Sequence, residues 1–253
     1  MIDVEKIPAY CITLERRQDR WRNFMEKARA AHLQVNKWPG IDGRQLDIQH
    51  DERVSVFARR NIMEGTRRSH EEIDSIGAVG CALSHISLWK HMLSTDQEYF
   101  IIFEDDADLP ADFLPRMKAA IASPEFVGSN WDVWMLGGTW TTRKQPTLDS
   151  FYLIHAYVIR RSAAEAFVAG CYPIQAHIDH YMSMCMKMNG LTAVGSSLLR
   201  IKQTGEKSDI QMRPRCTICD VPTDVDKYYL LKKNDMAVFA AIVGTILIGA
   251  TLF

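Results

Sequence analysis

Residues 99–109, YFIIFEDDADL, run from five aromatic or β-branched residues straight into four acids within five positions. An apolar run of this kind is typical of a buried β-strand. Carboxylates that lie this close repel one another unless water screens them or a cation lies between them. The stretch therefore predicts a core strand that delivers a group of acids to the end of a sheet.

Strand-like apolar runs alternate with helical patterns on both sides of this stretch. The predicted strands are residues 9–14, 33–39, 131–136, 151–161 and 191–195, and the predicted helices are 18–32, 76–93, 111–122, 162–171 and 177–189. The 76–93 pattern, IGAVGCALSHISLWKHML, is the strongest, and its small residues allow close packing against a sheet. The alternation indicates an α/β domain with a mostly parallel central sheet and flanking helices.

The composition excludes several classes of protein. The chain has 253 residues, enough for one well-buried domain. Its 30 basic and 31 acidic residues give a formal charge of -1, which does not favour nucleic-acid binding. A hydrophobic content of 47% argues against disorder. Six scattered cysteines include one CxxC, Cys216–Cys219, which has no partner motif, so neither a four-ligand zinc site nor a disulfide framework is predicted.

The last 18 residues, 236–253, form the uncharged run MAVFAAIVGTILIGATLF. As a helix this run spans roughly 27 Å, close to the thickness of thinner bilayers. A buried terminal helix is the alternative, but such a helix normally has a polar face. We therefore predict a C-terminal membrane anchor, a polar linker over 206–235 and a folded domain over 1–205. Three lysines within 227–233 predict that this domain lies on the cytoplasmic side.

The acids at the end of the central strand are the candidate chemical centre. In open α/β sheets ligands bind at the carboxyl ends of the strands. Glu104, Asp105 and Asp106 are placed there, and oxygen-rich groups suit Mg²⁺ or Mn²⁺ shared with a diphosphate. The alternative is a helix-capping turn in which Asp108 or Asp112 caps the next helix. The segment alone leaves both interpretations open.

Several motifs together resemble one enzyme family. They are CITLERRQDRW (11–21), GIDG (40–43), GAVGCALSHISLWK (77–90), FEDDADL (103–109), HAYVI (155–159) and SDIQ (208–211). In this order they resemble glycosyltransferase family 25, which includes bacterial lipooligosaccharide galactosyltransferases and collagen galactosyltransferases. The long central motif is specific, whereas GIDG or SDIQ alone carries little weight.

The resemblance implies a GT-A-type fold and transfer of a hexose, galactose or glucose, from a UDP-sugar to a hydroxyl of a glycan or glycoprotein acceptor. It implies an inverting reaction that depends on Mn²⁺ or Mg²⁺. Asp106 is then the metal ligand and Glu104 contacts ribose or sugar, while Asp105 assists either role. An inverting reaction also needs a general base, for which Asp179 is the candidate. The alternative for Asp179 is a helix N-cap.

Six further residues are predicted to bind the donor: Arg16, Arg20, Gly80, Ser84, His85 and His155. The two arginines follow the first strand, and guanidinium groups suit phosphate and nucleobase oxygens. Ser84 and His85 lie on the 76–93 helix beside Gly80, although a single helical histidine is more often a core residue. His155 and Tyr157 belong to a strand and are predicted to contact donor sugar or acceptor.

Two other functions use the same residues. A metal-dependent nucleotide or phosphate hydrolase explains the acids but leaves the 76–93 helix and HAYVI unexplained. A catalytically inactive membrane adaptor with the same fold is the second alternative, against which the intact acids at 104–106 argue. The products released from UDP-sugars distinguish all three.

Overall fold

The structure is a computed structural model that describes residues 2–66, 69–123, 126, 130–141, 147–148, 150–205 and 210. These residues belong to the compact unit Met1–Met212. The predicted anchor at 236–253, the CxxC, and the predicted linker except Ile210 lie outside the described residues. Among the residues described, no helix combines the length and the apolar character needed to cross a bilayer.

The described strands and helices follow the predicted alternation. In chain order the strands are β1 (Ala9–Thr13), β2 (Val35–Pro39), β3 (Tyr99–Glu104), β4 (Ala107–Asp108), β5 (Val133–Met135), β6 (Thr139–Thr141), β7 (Ser150–Tyr152), β8 (Ala156–Arg160), β9 (Ala193–Gly195) and β10 (Lys202–Gln203). The α-helices are α1 (Gln18–Ala30), α2 (Val56–Glu64), α3 (Ile76–Leu93), α4 (Phe113–Ile121), α5 (Arg161–Ala169) and α6 (Ile178–Met188).

The central sheet has the strand order β2-β1-β3-β8-β5-β9. β1 pairs in parallel with β2 and β3, and β5 pairs in parallel with β9, whereas β8 is antiparallel to both of its neighbours. Five of the six strands therefore point the same way, which confirms the mostly parallel α/β prediction. Their carboxyl ends meet at one edge, and the reversed strand β8 begins at that same edge.

The predicted strand over 151–161 is wrong in one respect, because the structure divides it into β7 and β8. Between them Leu153 has a left-handed backbone with φ 62°. This conformation is unfavourable for a branched, bulky residue and interrupts a strand. The break turns the chain from the β6–β7 hairpin into the reversed strand.

The sheet separates two apolar layers. Phe100 and Ile102 of β3 face the layer that contains α3, whereas Ile101 and Phe103 face the layer with α1 and α4. This follows from the two-residue period of a strand. Every one of these four side chains is fully buried, and burial of one such side chain stabilises the fold by about 2 kcal/mol. Side chains just beyond β3 inherit the same alternation.

Helix α3 has the bounds that its sequence pattern predicts. Ser75 caps its start, accepting a hydrogen bond from the backbone N–H of Ala78 at 3.2 Å. At its other end the Arg161 guanidinium donates to the carbonyl oxygens of Leu93 and Thr95, at 2.9 and 2.6 Å. Both ends of the helix are thus satisfied, which fixes the position of the side chains it carries toward the acids.

Candidate functional site

The three consecutive acids at the end of β3 contact three different elements of the fold. Glu104 contacts His85 of α3, whereas Asp105 contacts Arg20 of α1. Asp106 lies on the turn that follows and contacts Gln203 of β10. The acids therefore have different neighbours and different chemistry.

Both carboxylate oxygens of Asp105 accept hydrogen bonds from buried side chains. Arg20 Nη1 donates to its Oδ1 at 3.1 Å, and Thr13 Oγ1 donates to its Oδ2 at 2.7 Å. The side chains of Arg20 and Asp105 are only 7% and 8% exposed. Burial raises the pKa of Asp105, while the Thr13 hydroxyl and the Arg20 guanidinium favour its charged form. The structure thus places two predicted donor-binding residues, Arg20 and Asp105, in an internal ion pair that joins α1 to β3.

Asp106 has a buried oxygen without a partner. Its Oδ2 accepts from Gln203 Nε2 at 3.2 Å, and its backbone carbonyl accepts from the N–H of Thr204 at 2.8 Å. Its Oδ1 is buried and has no hydrogen-bond partner among the described residues. Burial and the negative charge of Glu104 raise the pKa of Asp106 to about 7. A bound cation would satisfy this oxygen and reverse the pKa shift, so Asp106 fits the Mg²⁺ or Mn²⁺ that its chemistry suggests.

Glu104 is held from the α3 side. His85 Nε2 lies 3.2 Å from Glu104 Oε1, and His85 Nδ1 lies 2.8 Å from the Tyr157 hydroxyl, which also accepts from Trp89 Nε1 at 2.9 Å. Burial disfavours the charged form of Glu104, whereas the hydrogen bond with His85 favours it, and the pKa of Glu104 is lowered overall. His85 is fully buried, so this predicted donor-binding residue is not exposed to solvent.

Cys81, His85 and Glu104 bring their donor atoms within 4.8 Å of one another. Cys81 and His85 are one helical turn apart, so they share a face of α3. Sulfur and imidazole ligands suit Zn²⁺ better than Mg²⁺ or Mn²⁺. Burial raises the pKa of Cys81 well above its usual value, and the charge of Glu104 raises it further. This cluster therefore differs in kind from the oxygen donors at Asp106.

Gly80, Ser84 and Arg16 come together at one loop, residues 40–43. Ser84 Oγ donates to the Gly80 carbonyl at 2.6 Å and accepts from the N–H of Ile41 at 2.8 Å. A Cβ on Gly80 would lie 2.5 Å from the Ile41 carbonyl oxygen, so only glycine allows this approach. Arg16 Nε donates to Asp42 Oδ2 of the same loop at 2.7 Å. The contacts of these predicted donor-binding residues fix the loop on α3 and beside β1.

His155 lies beside Glu104 at the start of β8. Its carbonyl accepts from the N–H of Glu104 at 2.9 Å, and its Nε2 lies 3.0 Å from the carbonyl of Ile201. Because that carbonyl can only accept, Nε2 carries a hydrogen, and Nδ1 is an acceptor when the ring is neutral. His155 is buried, and its Nδ1 has no partner among the described residues. His155 and Asp106 thus each offer an unsatisfied buried acceptor at this edge of the sheet.

Asp179 is fixed at the start of α6. Its Oδ1 accepts from the N–H of His180 at 2.7 Å, and its Oδ2 accepts from the N–H of Leu153 at 3.0 Å. The N-cap of α6 is His177, so the capping alternative for Asp179 is not what the structure has. The bond to Leu153 holds the left-handed residue that separates β7 from β8. Asp179 therefore supports the segment that leads to His155.

Three side chains that hold the acids were not predicted: Thr13, Trp89 and Gln203. Thr13 closes an otherwise apolar strand, which is a signal for a polar contact at the sheet edge. Trp89 follows His85 by four residues on a helix, so that spacing indicates a shared face. Gln203 lies 97 residues from Asp106 along the chain, and no local pattern indicates their contact.

Comparisons with known proteins agree with the motifs. Residues 6–146 match the family model described as "Glycosyltransferase family 25 (LPS biosynthesis protein)". A "Glycosyltransferase 25 family member" of Anopheles gambiae is 29% identical over 128 residues, which cover 51% of this chain and 21% of the relative. "Procollagen galactosyltransferase 2" of Homo sapiens is 22% identical over 138 residues, which cover 54% of this chain and 21% of the relative.

A human relative named "Inactive glycosyltransferase 25 family member 3" is 24% identical over 129 residues, which cover 51% of this chain and 21% of the relative. The match to this chain thus spans only about a fifth of the length of these curated relatives.

Proposed function

The chain belongs to glycosyltransferase family 25, and we propose that it transfers a hexose, galactose or glucose, from a UDP-sugar to a hydroxyl of a glycan or glycoprotein acceptor. The observation that carries the proposal is the buried Oδ1 of Asp106, which lies beside Glu104 at the carboxyl edge of the sheet and has no partner among the described residues. The dication of a bound sugar diphosphate would supply positive charge to this oxygen. A GT-A-type arrangement, with the donor at this edge, is part of the proposal.

The donor side of the reaction rests on three residues of this chain. Asp106 would hold Mn²⁺ or Mg²⁺, oriented by its hydrogen bond from Gln203. Such an ion, when bound, supplies Lewis-acid stabilisation of the charge that develops on the departing UDP. Glu104 contacts α3 through Oε1. We propose that its Oε2 accepts a hydrogen bond from a hydroxyl of the ribose or the sugar.

The acceptor side rests on Asp179, proposed to take the proton of the attacking hydroxyl. Each of its oxygens accepts one backbone hydrogen bond, which fixes the carboxylate and leaves further lone pairs. A fixed base on the side opposite the leaving group gives inversion at the sugar carbon. An acceptor hydroxyl would lie within about 3 Å of one of these oxygens.

A catalytically inactive member of the family is the second candidate. Two observations favour it: one relative is named as inactive, and both oxygens of Asp179 already bind backbone N–H groups. In that case nucleotide binds at Asp106 and Glu104 without turnover.

Product analysis decides between these functions. The purified chain is incubated with UDP-galactose or UDP-glucose and Mn²⁺, with and without glycan acceptors, and the products are identified by mass spectrometry. We expect UDP release that an acceptor increases, together with an acceptor heavier by one hexose. Nucleotide binding without any product would identify an inactive member, and release of UMP or free phosphate would identify a hydrolase.

We also propose that residues 236–253 anchor the chain in a membrane, with the 1–205 domain on the cytoplasmic side. The support is the uncharged run and the lysines that precede it. Alkaline extraction of membranes from expressing cells compares the full chain with a variant that ends at 235. We expect the full chain to stay with the membranes and the shorter chain to be released. Equal release of both would contradict the anchor.

A further inference from the structure

We infer that Trp89, Tyr157 and His85 form a buried relay that orients Glu104 toward a donor hydroxyl. This inference rests on the proposed function, because it assigns positioning residues to the proposed donor site. The relay runs from Trp89 Nε1 to the Tyr157 hydroxyl over 2.9 Å, from Tyr157 to His85 Nδ1 over 2.8 Å, and from His85 Nε2 to Glu104 Oε1 over 3.2 Å. Trp89, Tyr157 and His85 are each 0% exposed.

The donors and acceptors along the relay fix every hydrogen. The indole of Trp89 can only donate, so the Tyr157 oxygen accepts from it. The single hydrogen of the Tyr157 hydroxyl is then directed to His85, whose Nδ1 must be an acceptor. The neutral imidazole therefore carries its hydrogen on Nε2, which donates to Glu104. Trp89 thus determines, through Tyr157, that His85 donates the hydrogen bond to Glu104.

The reverse arrangement leaves a buried group unsatisfied. With hydrogen on Nδ1, both Trp89 and His85 would donate to Tyr157, and the Tyr157 hydrogen would have no acceptor in this chain of contacts. A metal bound at Cys81, His85 and Glu104 requires that same arrangement, because it needs the lone pair of His85 Nε2. The relay therefore makes His85 a donor to Glu104 and disfavours metal ligation by His85.

Glu104 gains a fixed orientation from this contact. Its side chain is 18% exposed, and Oε1 is used by His85, with Cys81 Sγ 4.0 Å away. Oε2 has no hydrogen-bond partner among the described residues, which leaves it available to the proposed donor. A carboxylate held in one rotamer binds a hydroxyl without losing side-chain entropy at that step. Loss of the relay should therefore weaken donor binding and leave metal binding at Asp106 largely unchanged.

The test compares two tyrosines that each contact a histidine of α3. Tyr157→Phe removes the hydroxyl inside the relay. Tyr10→Phe removes a hydroxyl that lies 3.2 Å from His91 Nε2, further along the same helix, and serves as the matched control. UDP affinity in the presence of Mn²⁺ and the Mn²⁺ affinity itself are measured by calorimetry on the full chain.

We expect Tyr157→Phe to raise the Kd for UDP about 5- to 10-fold, with Mn²⁺ affinity within about 2-fold, and Tyr10→Phe to change neither. If the wild-type chain binds UDP and Tyr157→Phe binds it equally well, the relay has no positioning role and the inference is overturned. If the wild-type chain binds no UDP, the proposed function fails first, and the imidazole spectrum described next still tests the relay.

Nitrogen-15 NMR of the histidine side chains reads the relay without any ligand. We expect His85 to be the Nε2–H tautomer in the wild-type chain, and Tyr157→Phe to mix the two tautomers. An Nδ1–H tautomer for His85 in the wild-type chain would overturn the inference.

The pair His85→Gln and His85→Leu adds a rescue, because the glutamine amide can donate to Glu104. We expect UDP affinity within about 3-fold of wild type for Gln and a loss of more than 10-fold for Leu, and equal loss in both would contradict the relay.

Discussion

Asp105 and Asp106 are adjacent in sequence, yet their carboxylates have different surroundings. Asp105 faces α1, where Arg20 and Thr13 satisfy both of its oxygens in a buried place. Asp106 follows on the turn, where one oxygen binds Gln203 and the other is buried without a partner among the described residues. Within this part of the chain, Asp105 has partners for both carboxylate oxygens and Asp106 has a partner for one.

The difference shows how to separate stabilising acids from ligand-binding acids in a cluster. Sequence spacing sets the direction of each side chain, but the partners on each side set its role. Asp105 contributes to stability because removing it leaves the Arg20 charge buried. Asp106 costs stability because burial and the charge of Glu104 disfavour its ionised form. Single substitutions at these two residues and at Arg16 test this contrast, in order of decreasing expected effect.

The largest effect is expected at Asp106. Asp106→Ala removes the proposed metal ligand and should lower metal-dependent UDP release about 100-fold or more, since a Lewis acid contributes several kcal/mol to the transition state. Asp108→Ala is the matched control, because Asp108 belongs to the same acidic stretch but is half exposed and pairs with Lys27 at 2.8 Å. We expect its activity to remain within about 2-fold of wild type. Comparable activity of Asp106→Ala and Asp108→Ala would contradict the assignment of Asp106 as the metal ligand.

The next effect concerns stability at Asp105. Asp105→Asn should lower the free energy of unfolding by ~3–5 kcal/mol, because it removes the carboxylate charge that pairs with the buried Arg20 guanidinium. Urea denaturation measures this loss. The double variant Arg20→Met with Asp105→Asn should recover part of it. A loss below about 1 kcal/mol in the single variant would show that the ion pair does not carry the packing of α1 on β3.

Asp106→Asn should have the opposite sign in the metal-free chain. The pKa of Asp106 rises from 3.8 to about 7 on folding, so the wild-type fold loses stability as pH increases from about 4 to 7. That difference corresponds to ~4 kcal/mol, and partial exposure of the carboxylate reduces it to ~2 kcal/mol. We expect the variant to be more stable than wild type at pH 8 and equal to it at pH 4, measured by urea denaturation in chelator. Lower stability of the variant at pH 8 would contradict the assigned burial cost.

The smallest effect is expected at the loop over residues 40–43, which follows β2. Arg16 pairs with Asp42, and their side chains are 32% and 16% exposed. Arg16→Ala should lower stability by less than about 1 kcal/mol, as partly exposed pairs usually do. A larger loss would mean that this pair, like the one at Asp105, supports the sheet edge. A large rise in the Kd for UDP without a stability change would assign Arg16 to the donor, as its sequence position predicts.

Local patterns predicted the parts of the fold that depend on neighbouring residues. Helix α3 has the bounds that its apolar period gives, and the acids lie at the end of β3 as the abrupt change in polarity indicates. Strand alternation also separates Asp105 from its neighbours. The motifs of the family resemblance lie among the described residues, except for most of SDIQ.

Contacts between distant segments decided the rest. The break at Leu153 is accompanied by a hydrogen bond that its own N–H donates to Asp179, which lies 26 residues later, and no property of the 151–161 sequence indicates this contact. The division of labour between Asp105 and Asp106 depends on Arg20 and on Gln203, which lie far along the chain. Sequence pattern thus located the acids but did not show which one was already satisfied.

Manganese binding tests this division most directly. Electron paramagnetic resonance follows the free Mn²⁺ signal as the wild-type chain, Asp106→Ala and Asp108→Ala are titrated in the presence of UDP. We predict that wild type and Asp108→Ala remove the free signal and that Asp106→Ala does not. Uptake of Mn²⁺ by Asp106→Ala with wild-type affinity would contradict the assignment of the unsatisfied carboxylate as the metal ligand.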